Sequence, residues 1–233
     1  MQDDDSAMNR PRSGFRTALI IEDHPLFGDA LAMTLQMVAG VQVVDHAENL
    51  DAAIKRLEQG DRPDIILLDL NLPDVEGLEG LMALRQTAPD VPVVVVTSAA
   101  EPRIIRSALV AGAAGFLPKH SKRDLFRQAF ETIAMGEIFV PEANLAALND
   151  RVQPSSQDEA IRRMSQLTRQ QAKILEQVCE GKMNKQIAHD MDIAETTVKA
   201  HITAIMRKMG VTSRTQAVLM AREAQATGPL SGH

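Results

Sequence analysis

Residues 64–74 read DIILLDLNLPD. The apolar run Ile65 to Leu68 has strand length and the composition of a strand buried on both faces, and it stops on a carboxylate, Asp69. A charge buried without a partner costs several kcal/mol or shifts its pKa. An acid at the mouth of the most hydrophobic strand pattern in the chain therefore asks for a chemical reason.

Similar runs lie on either side: TALIIED from Thr17, VQVVDHA from Val41, VPVVVVTSA from Val91 and AGFLPKH from Ala114. Between them the apolar residues recur at helical spacing over Pro25–Val38, Leu50–Gln59 with Asn49 as its cap, Glu76–Gln86, Glu101–Ala111 and Lys122–Met135. Short Val, Ile and Leu strands alternating with such helices predict βαβ units on a parallel sheet. The expected fold is an α/β doubly wound, five-stranded parallel sheet of flavodoxin type, followed by a separate all-α domain of four helices.

In a doubly wound sheet the ligand crevice lies outside the C-terminal ends of the strands. Those ends carry Glu22 and Asp23, then Asp69, then the hydroxyls of Thr97 and Ser98, then Lys119. Three carboxylates brought together repel, unless one takes a proton or a cation joins them. Three oxygens plus waters suit Mg²⁺. Asp69 reads as a nucleophile flanked by Lys119 and Thr97.

These residues carry a resemblance. LIIEDHPLF, ILLDLNLPDVEGLEGL, VVVVTSA and AGAAGFLPKH stand in the order and at the spacing of the receiver domain of two-component response regulators. The resemblance implies phosphorylation of Asp69 by a sensor histidine kinase. It implies Mg²⁺ held by Glu22, Asp23, Asp69 and the carbonyl of Asn71, and phosphoryl oxygens bound by Thr97 and Lys119. Phe116 falls on the switch-aromatic position, whose ring turns inward as Thr97 moves toward the phosphate. His24 is expected beside the site without chemistry.

The charge is uneven. Residues 1–160 hold 14 Lys+Arg and 25 Asp+Glu, a net −11, whereas residues 161–233 hold 11 and 6, a net +5. An acidic front and a basic back predict two modules with different partners. From Leu167 the pattern is helical over Arg169–Glu180, Asn184–Met191, Glu195–Lys208 and Arg214–Ala226, with Thr168 and Gln171 spaced as a capping box. Val198, Ile202, Ile205 and Met209 share one face of the third helix, and Thr196, Lys199, Thr203 and Arg207 the other. A short helix, a tight connection and a helix polar on its outer side make a helix-turn-helix pattern suited to the major groove. The tail has no Trp, Tyr or Phe on which single-stranded bases could stack.

The tail resembles the LuxR-type DNA-binding domain, and the whole chain the NarL/FixJ class of response regulators. By position the resemblance implies base contacts from Lys199, Ala200 and Thr203. Asn184, Lys185, Thr196, Thr197 and His201 would lie near the sugar-phosphate backbone. In that family Gln171 replaces the usual Glu, and Ala194 the usual capping Ser. In relatives the last helix contributes to dimerisation; plain packing on the domain core is its other reading.

The expected organisation is a disordered tail 1–16, a receiver 17–140, a linker 141–164 with some helix, the DNA-binding domain 165–227 and a disordered end 228–233. One cysteine, Cys179, excludes an internal disulfide, the acidic start lacks a secretory pattern, and no run is long enough to span a membrane. A cytoplasmic, non-enzymatic regulator follows, a homodimer when active, bound to duplex DNA at inverted-repeat half-sites. Phosphorylation is expected to bias the tail between sequestration against the receiver and release. Two alternatives stay open: a tail that binds protein or RNA, and an aspartyl-phosphate phosphatase.

Overall fold

The computed structural model describes residues 14–75, 77–98, 101–145 and 156–225. The strands are β1 (Thr17–Ile21), β2 (Val43–Ala47), β3 (Ile65–Leu68), β4 (Val93–Thr97) and β5 (Gly115–Pro118). All pair in parallel, in the order β2-β1-β3-β4-β5. Joining them are α1 (Pro25–Val38), α2 (Leu50–Glu58), α3 (Glu79–Thr87) and α4 (Pro102–Val110), with α5 (Arg123–Ala134) after β5. The period of two along each strand divides its apolar side chains between two cores. Leu19, Ile21, Ile66, Leu68, Val93 and Val95 face α2, α3 and α4; Ala18, Ile20, Ile65, Leu67, Val94 and Val96 face α1 and α5. Every residue of β3 and β4 is buried, the strand character read from 64–74.

Local chemistry sets the helix ends. Asn49 accepts from the Ala52 amide at 2.8 Å and opens α2. α3 begins at Glu79, later than the Glu76 expected, because Gly77 takes a left-handed φ of 56° that breaks the helical path; Glu76 itself lies outside the described residues.

Strand character does not end at Gly136. Phe139 bridges Gly115, and the Phe116 amide donates to its carbonyl at 2.9 Å. A Cβ on Gly115 would lie 2.9 Å from Ile133 Cδ1 and 3.2 Å from the Phe139 carbonyl oxygen. Gly115→Ala is therefore expected to cost about 1–3 kcal/mol by overpacking, read as a lower denaturant midpoint with unchanged slope.

After a 3-10 turn at Glu142–Asn144 come α6 (Ser156–Met164), α7 (Arg169–Cys179), α8 (Asn184–Asp190), α9 (Glu195–Met209) and α10 (Arg214–Gln225). The last four enclose a core of Ile174, Leu175, Ile187, Val198, Ile205 and Met209. The capping box at Thr168 and Gln171 opens α7. Gly210, with φ 67°, closes α9.

The structure corrects two expectations. The segment 141–164 is not only a tether: α6 buries Ala160 and Ile161 in the same apolar cluster as α3 and α4. Its polar composition hid Gln157, Ala160, Ile161 and Met164, one face at helical spacing. At the other end, Phe15 and Arg16 do not belong to a disordered tail. Phe15 packs edge-on to Phe130, and the Arg16 amide donates to Asp64 at 2.7 Å. Residues 1–13 and 226–233, which hold the rest of both expected disordered ends, lie outside the described residues.

Candidate functional site

Because β1 and β3 are neighbours with Ile21 opposite Leu68, the residues that follow, Glu22 and Asp69, emerge side by side. The Asp69 amide donates to the Ile21 carbonyl at 3.0 Å, carrying the pairing one residue past the strands. Glu22 and Asp69 are buried, at 7% and 2% exposure. Lys119, past the end of β5, reaches between them: Nζ lies 2.8 Å from Asp69 Oδ2 and 2.7 Å from Glu22 Oε2. Burial disfavours its charge, but the hydrogen bonds to Asp69 and Glu22 outweigh that and hold the ammonium's pKa above the ordinary lysine value. The same nitrogen sits 4.6 Å from the centroid of the Phe27 ring.

Oxygens of Glu22, Asp23 and Asp69 and a ring nitrogen of His24 all lie within 4.8 Å of one another. Asp23 Oδ1 is buried with no hydrogen bond, although His24 Nδ1 is 2.8 Å away; the same Nδ1 is 3.0 Å from Glu22 Oε1. An orphaned carboxylate oxygen beside two further carboxylates is a donor set that fits a hard divalent cation. The Asn71 amide donates to Asp69 Oδ1 at 3.1 Å, fixing the turn that carries the Asn71 carbonyl. Thr97 ends β4 fully buried. Phe116 is fully buried as well, in one apolar cluster with Ile104 and Ile105 of α4.

In the C-terminal unit α8 and α9 are joined through Asp192, whose φ of 51° is left-handed, a conformation Asp tolerates better than most residues. Thr196, Thr197, Lys199, Ala200 and Thr203 are exposed, and His201 is half-buried. Val198, Ile205 and Met209 are buried and Ile202 half-buried, the division of faces that the periodicity predicts. Lys199 pairs with Glu195 at 2.9 Å, an exposed contact within one helical turn. The Thr203 hydroxyl donates to the Lys199 carbonyl at 3.0 Å. Ala194 makes no side-chain cap.

Two family models match: the response regulator receiver domain over residues 18–131 and the luxR family of bacterial regulatory proteins over 165–221. The chain is 40% identical to a glycerol metabolism activator of Pseudomonas putida over 216 residues, covering 91% of this chain and 97% of that one. It is 33% identical to the nitrate/nitrite response regulator protein NarL of Escherichia coli, covering 89% and 95%. The chain is a response regulator of the NarL/FixJ class. Among solved structures, RcsB of Salmonella enterica serovar Typhimurium, bound to promoter DNA with a phosphomimetic, has a TM-score of 0.54 at 21% identity, covering 89% and 98%, and so shares the fold.

For this response regulator the structure also shows what the sequence reading missed. Asn184 is half-buried and its Oδ1 accepts from Arg214 Nη1 at 3.2 Å, so it ties α8 to α10. Lys185, beside it, is exposed. Gln171 accepts from Lys208 Nζ at 2.8 Å, a hydrogen bond where a Glu would give an ion pair. Cys179 is half-buried, and burial raises its thiol pKa. Among the described residues, contact between the halves runs through α6, α7 and α10. Gln225 bonds Glu79 at 2.5 Å, Arg169 pairs with Glu58, and Ala224 joins the receiver's apolar cluster. Among the described residues no helix is long and apolar enough to cross a membrane.

Proposed function

We propose that this response regulator is switched by phosphorylation of Asp69 and acts as a dimer on inverted-repeat duplex DNA in the cytoplasm. The observation that carries the reading is the buried Glu22 and Asp69 pair, side by side at the sheet's mouth and bridged by one ammonium. An Asp69 carboxylate oxygen attacks phosphorus of a kinase phosphohistidine. The nitrogen–phosphorus bond breaks, and the imidazole leaves with the electron pair and takes a proton. Glu22, Asp23, Asp69 and the Asn71 carbonyl would hold Mg²⁺, which would supply positive charge to offset the phosphoryl oxygens. Lys119 gives up its bond to Asp69 and donates to one of those oxygens, and the Thr97 hydroxyl donates to another. The Phe116 ring, already buried beside α4, is the packing against which this movement occurs.

On the DNA side, Lys199, Ala200 and Thr203 occupy the exposed ridge of α9, which enters the major groove. Thr196, Thr197, His201, Lys185 and Asn184 lie beside it toward the backbone, Asn184 held through its Oδ1 by Arg214. Lys199 must exchange Glu195 for phosphate or base, a weak exposed pair for a charge-assisted bond.

The test is selection from a random duplex pool by the full chain, with and without acetyl phosphate and Mg²⁺. The expected result is an inverted-repeat sequence enriched only with the donor; equal pools in both arms, or no duplex retained in either, would discard the reading. On the selected duplex Lys199→Ala is expected to lose about 1–3 kcal/mol of binding. If the contact is to phosphate, the slope of log affinity against log salt falls by about one.

A further inference from the structure

Helix α6 (156–164) belongs to neither matched family region, 18–131 nor 165–221, yet it holds both halves. Its first turn is gripped by α4. Gln157 and Asp158 are each 5% exposed. Gln157 Oε1 accepts from Arg103 Nε at 2.9 Å, and Asp158 Oδ1 from the fully buried Ser107 hydroxyl at 3.3 Å. Below them Ile161 is fully buried, in one cluster with Ile104, Ile105 and Phe116.

Its last turn holds the recognition helix. Arg163 Nη1 donates to the Met209 carbonyl at 2.6 Å, at the C-terminal end of α9, where a cation also meets the negative end of the helix dipole. Glu159 fixes the guanidinium from the other side, with its Oε1 2.6 Å from Nε. Bonded to Arg162 and Arg163, that carboxyl has its pKa lowered to about 2 and stays ionised at neutral pH. Gly210 leaves the room: a Cβ there would collide with Arg163 Nη1. Lys208 adds a second tie, donating to the Gln166 carbonyl at 2.9 Å, two residues beyond α6.

We infer that α6 is the transmission element of this regulator and that Arg163 is its positioning residue, setting the recognition helix according to where α4 stands. The inference rests on the phosphoacceptor reading above. Thr97 ends β4 and α4 opens at Pro102, so a hydroxyl drawn toward a phosphorylated Asp69 pulls on the start of α4. Arg103 and Ser107 lie in the first two turns of α4 and carry that displacement to Gln157 and Asp158. Rigid α6 passes it through Arg163 to Met209. From α4 onward each link is a packed or hydrogen-bonded contact, the physical form that such coupling requires.

The test compares the full chain with Arg163→Met, Arg163→Lys and Arg162→Met. Arg162 is the control: its Nε and Nη2 bond Glu159 at 2.8 and 2.7 Å within α6 itself, so it shares the carboxylate without making the tie to Met209. The readouts are affinity for the selected duplex with and without beryllofluoride and Mg²⁺, amide exchange over the last turn of α9, and bound beryllofluoride by fluorine NMR. Expected for Arg163→Met is unchanged beryllofluoride binding with at least a fivefold smaller affinity gain, the low end of ordinary allosteric coupling. Exchange at the end of α9 becomes faster, Arg163→Lys restores part of the gain, and Arg162→Met behaves as wild type. Ser107→Ala, which removes the hydroxyl that donates to Asp158 at the other end of α6, should lose the gain in the same way, and it replaces Arg163→Met should that variant not fold. A full affinity gain in Arg163→Met, or in Ser107→Ala standing in for it, overturns the inference. If wild type binds no beryllofluoride, the phosphoacceptor reading has failed, and exchange alone decides: faster at the end of α9 in Arg163→Met than in Arg162→Met upholds the tie, equal overturns it.

Discussion

Asp69→Asn is expected to take up no phosphoryl group from acetyl phosphate and Mg²⁺, and to bind duplex DNA equally with and without the donor. The amide has the shape of the carboxylate but not its nucleophilic oxygen, so the group that forms the acyl phosphate bond is gone. It also removes one of the three carboxylates whose convergence makes a divalent ion favourable. Folding should be little affected. Lys119 keeps Glu22 at 2.7 Å, leaving one half-buried cation beside one buried anion where one cation now serves two. Intact-protein mass after incubation with the donor, set beside a thermal melt, checks both halves. Mass gain in the variant equal to wild type would mean that another residue accepts the phosphoryl group.

Lys119→Ala should do the reverse and strike stability first. It leaves Glu22 and Asp69 buried side by side with their shared ammonium gone, and removing the partner of a buried charge costs about 3–5 kcal/mol. In chelator the variant is therefore expected to unfold at a much lower denaturant concentration than wild type. Excess Mg²⁺ should return a good part of the loss, since a ligand at about a hundred times its Kd adds roughly 2.7 kcal/mol to the folded state. Wild type, with its own cation in place, should gain less from the same addition. Equal midpoints for variant and wild type in chelator would show that the ammonium does not compensate the carboxylates. A large chelator-sensitive difference, erased by magnesium, ties the fold of this mouth to its chemistry.

The site was more legible than the coupling because its signals are local. Asp69 ends an apolar run, Glu22 and Asp23 end another, and Lys119 a third; each is a strand end, and a doubly wound sheet collects strand ends on one side. Thr168 with Gln171, and Asn49, announce helix starts by side-chain chemistry within a few residues. The alternation of Val198, Ile202 and Ile205 with Lys199 and Thr203 separates a core face from an outer one by period alone. The tie made by Asn184 was not legible, for the opposite reason. Its partner Arg214 is a helix away in space and 30 residues away in sequence, so nothing near Asn184 reveals the tie.

By itself the sequence determined which residues form strands and helices, which faces are apolar, and which polar groups stand at strand ends. These follow from periodicity, capping and composition within one element. Only the tertiary structure decided that Ile21 lies opposite Leu68 and so brings Glu22 beside Asp69, that Lys119 bridges them, and that a polar segment read as a linker is a helix wedged between α4 and α9. Those are contacts between residues far apart along the chain, and they arise from how separate elements bury their faces together. Short-range propensity carries no record of that arrangement.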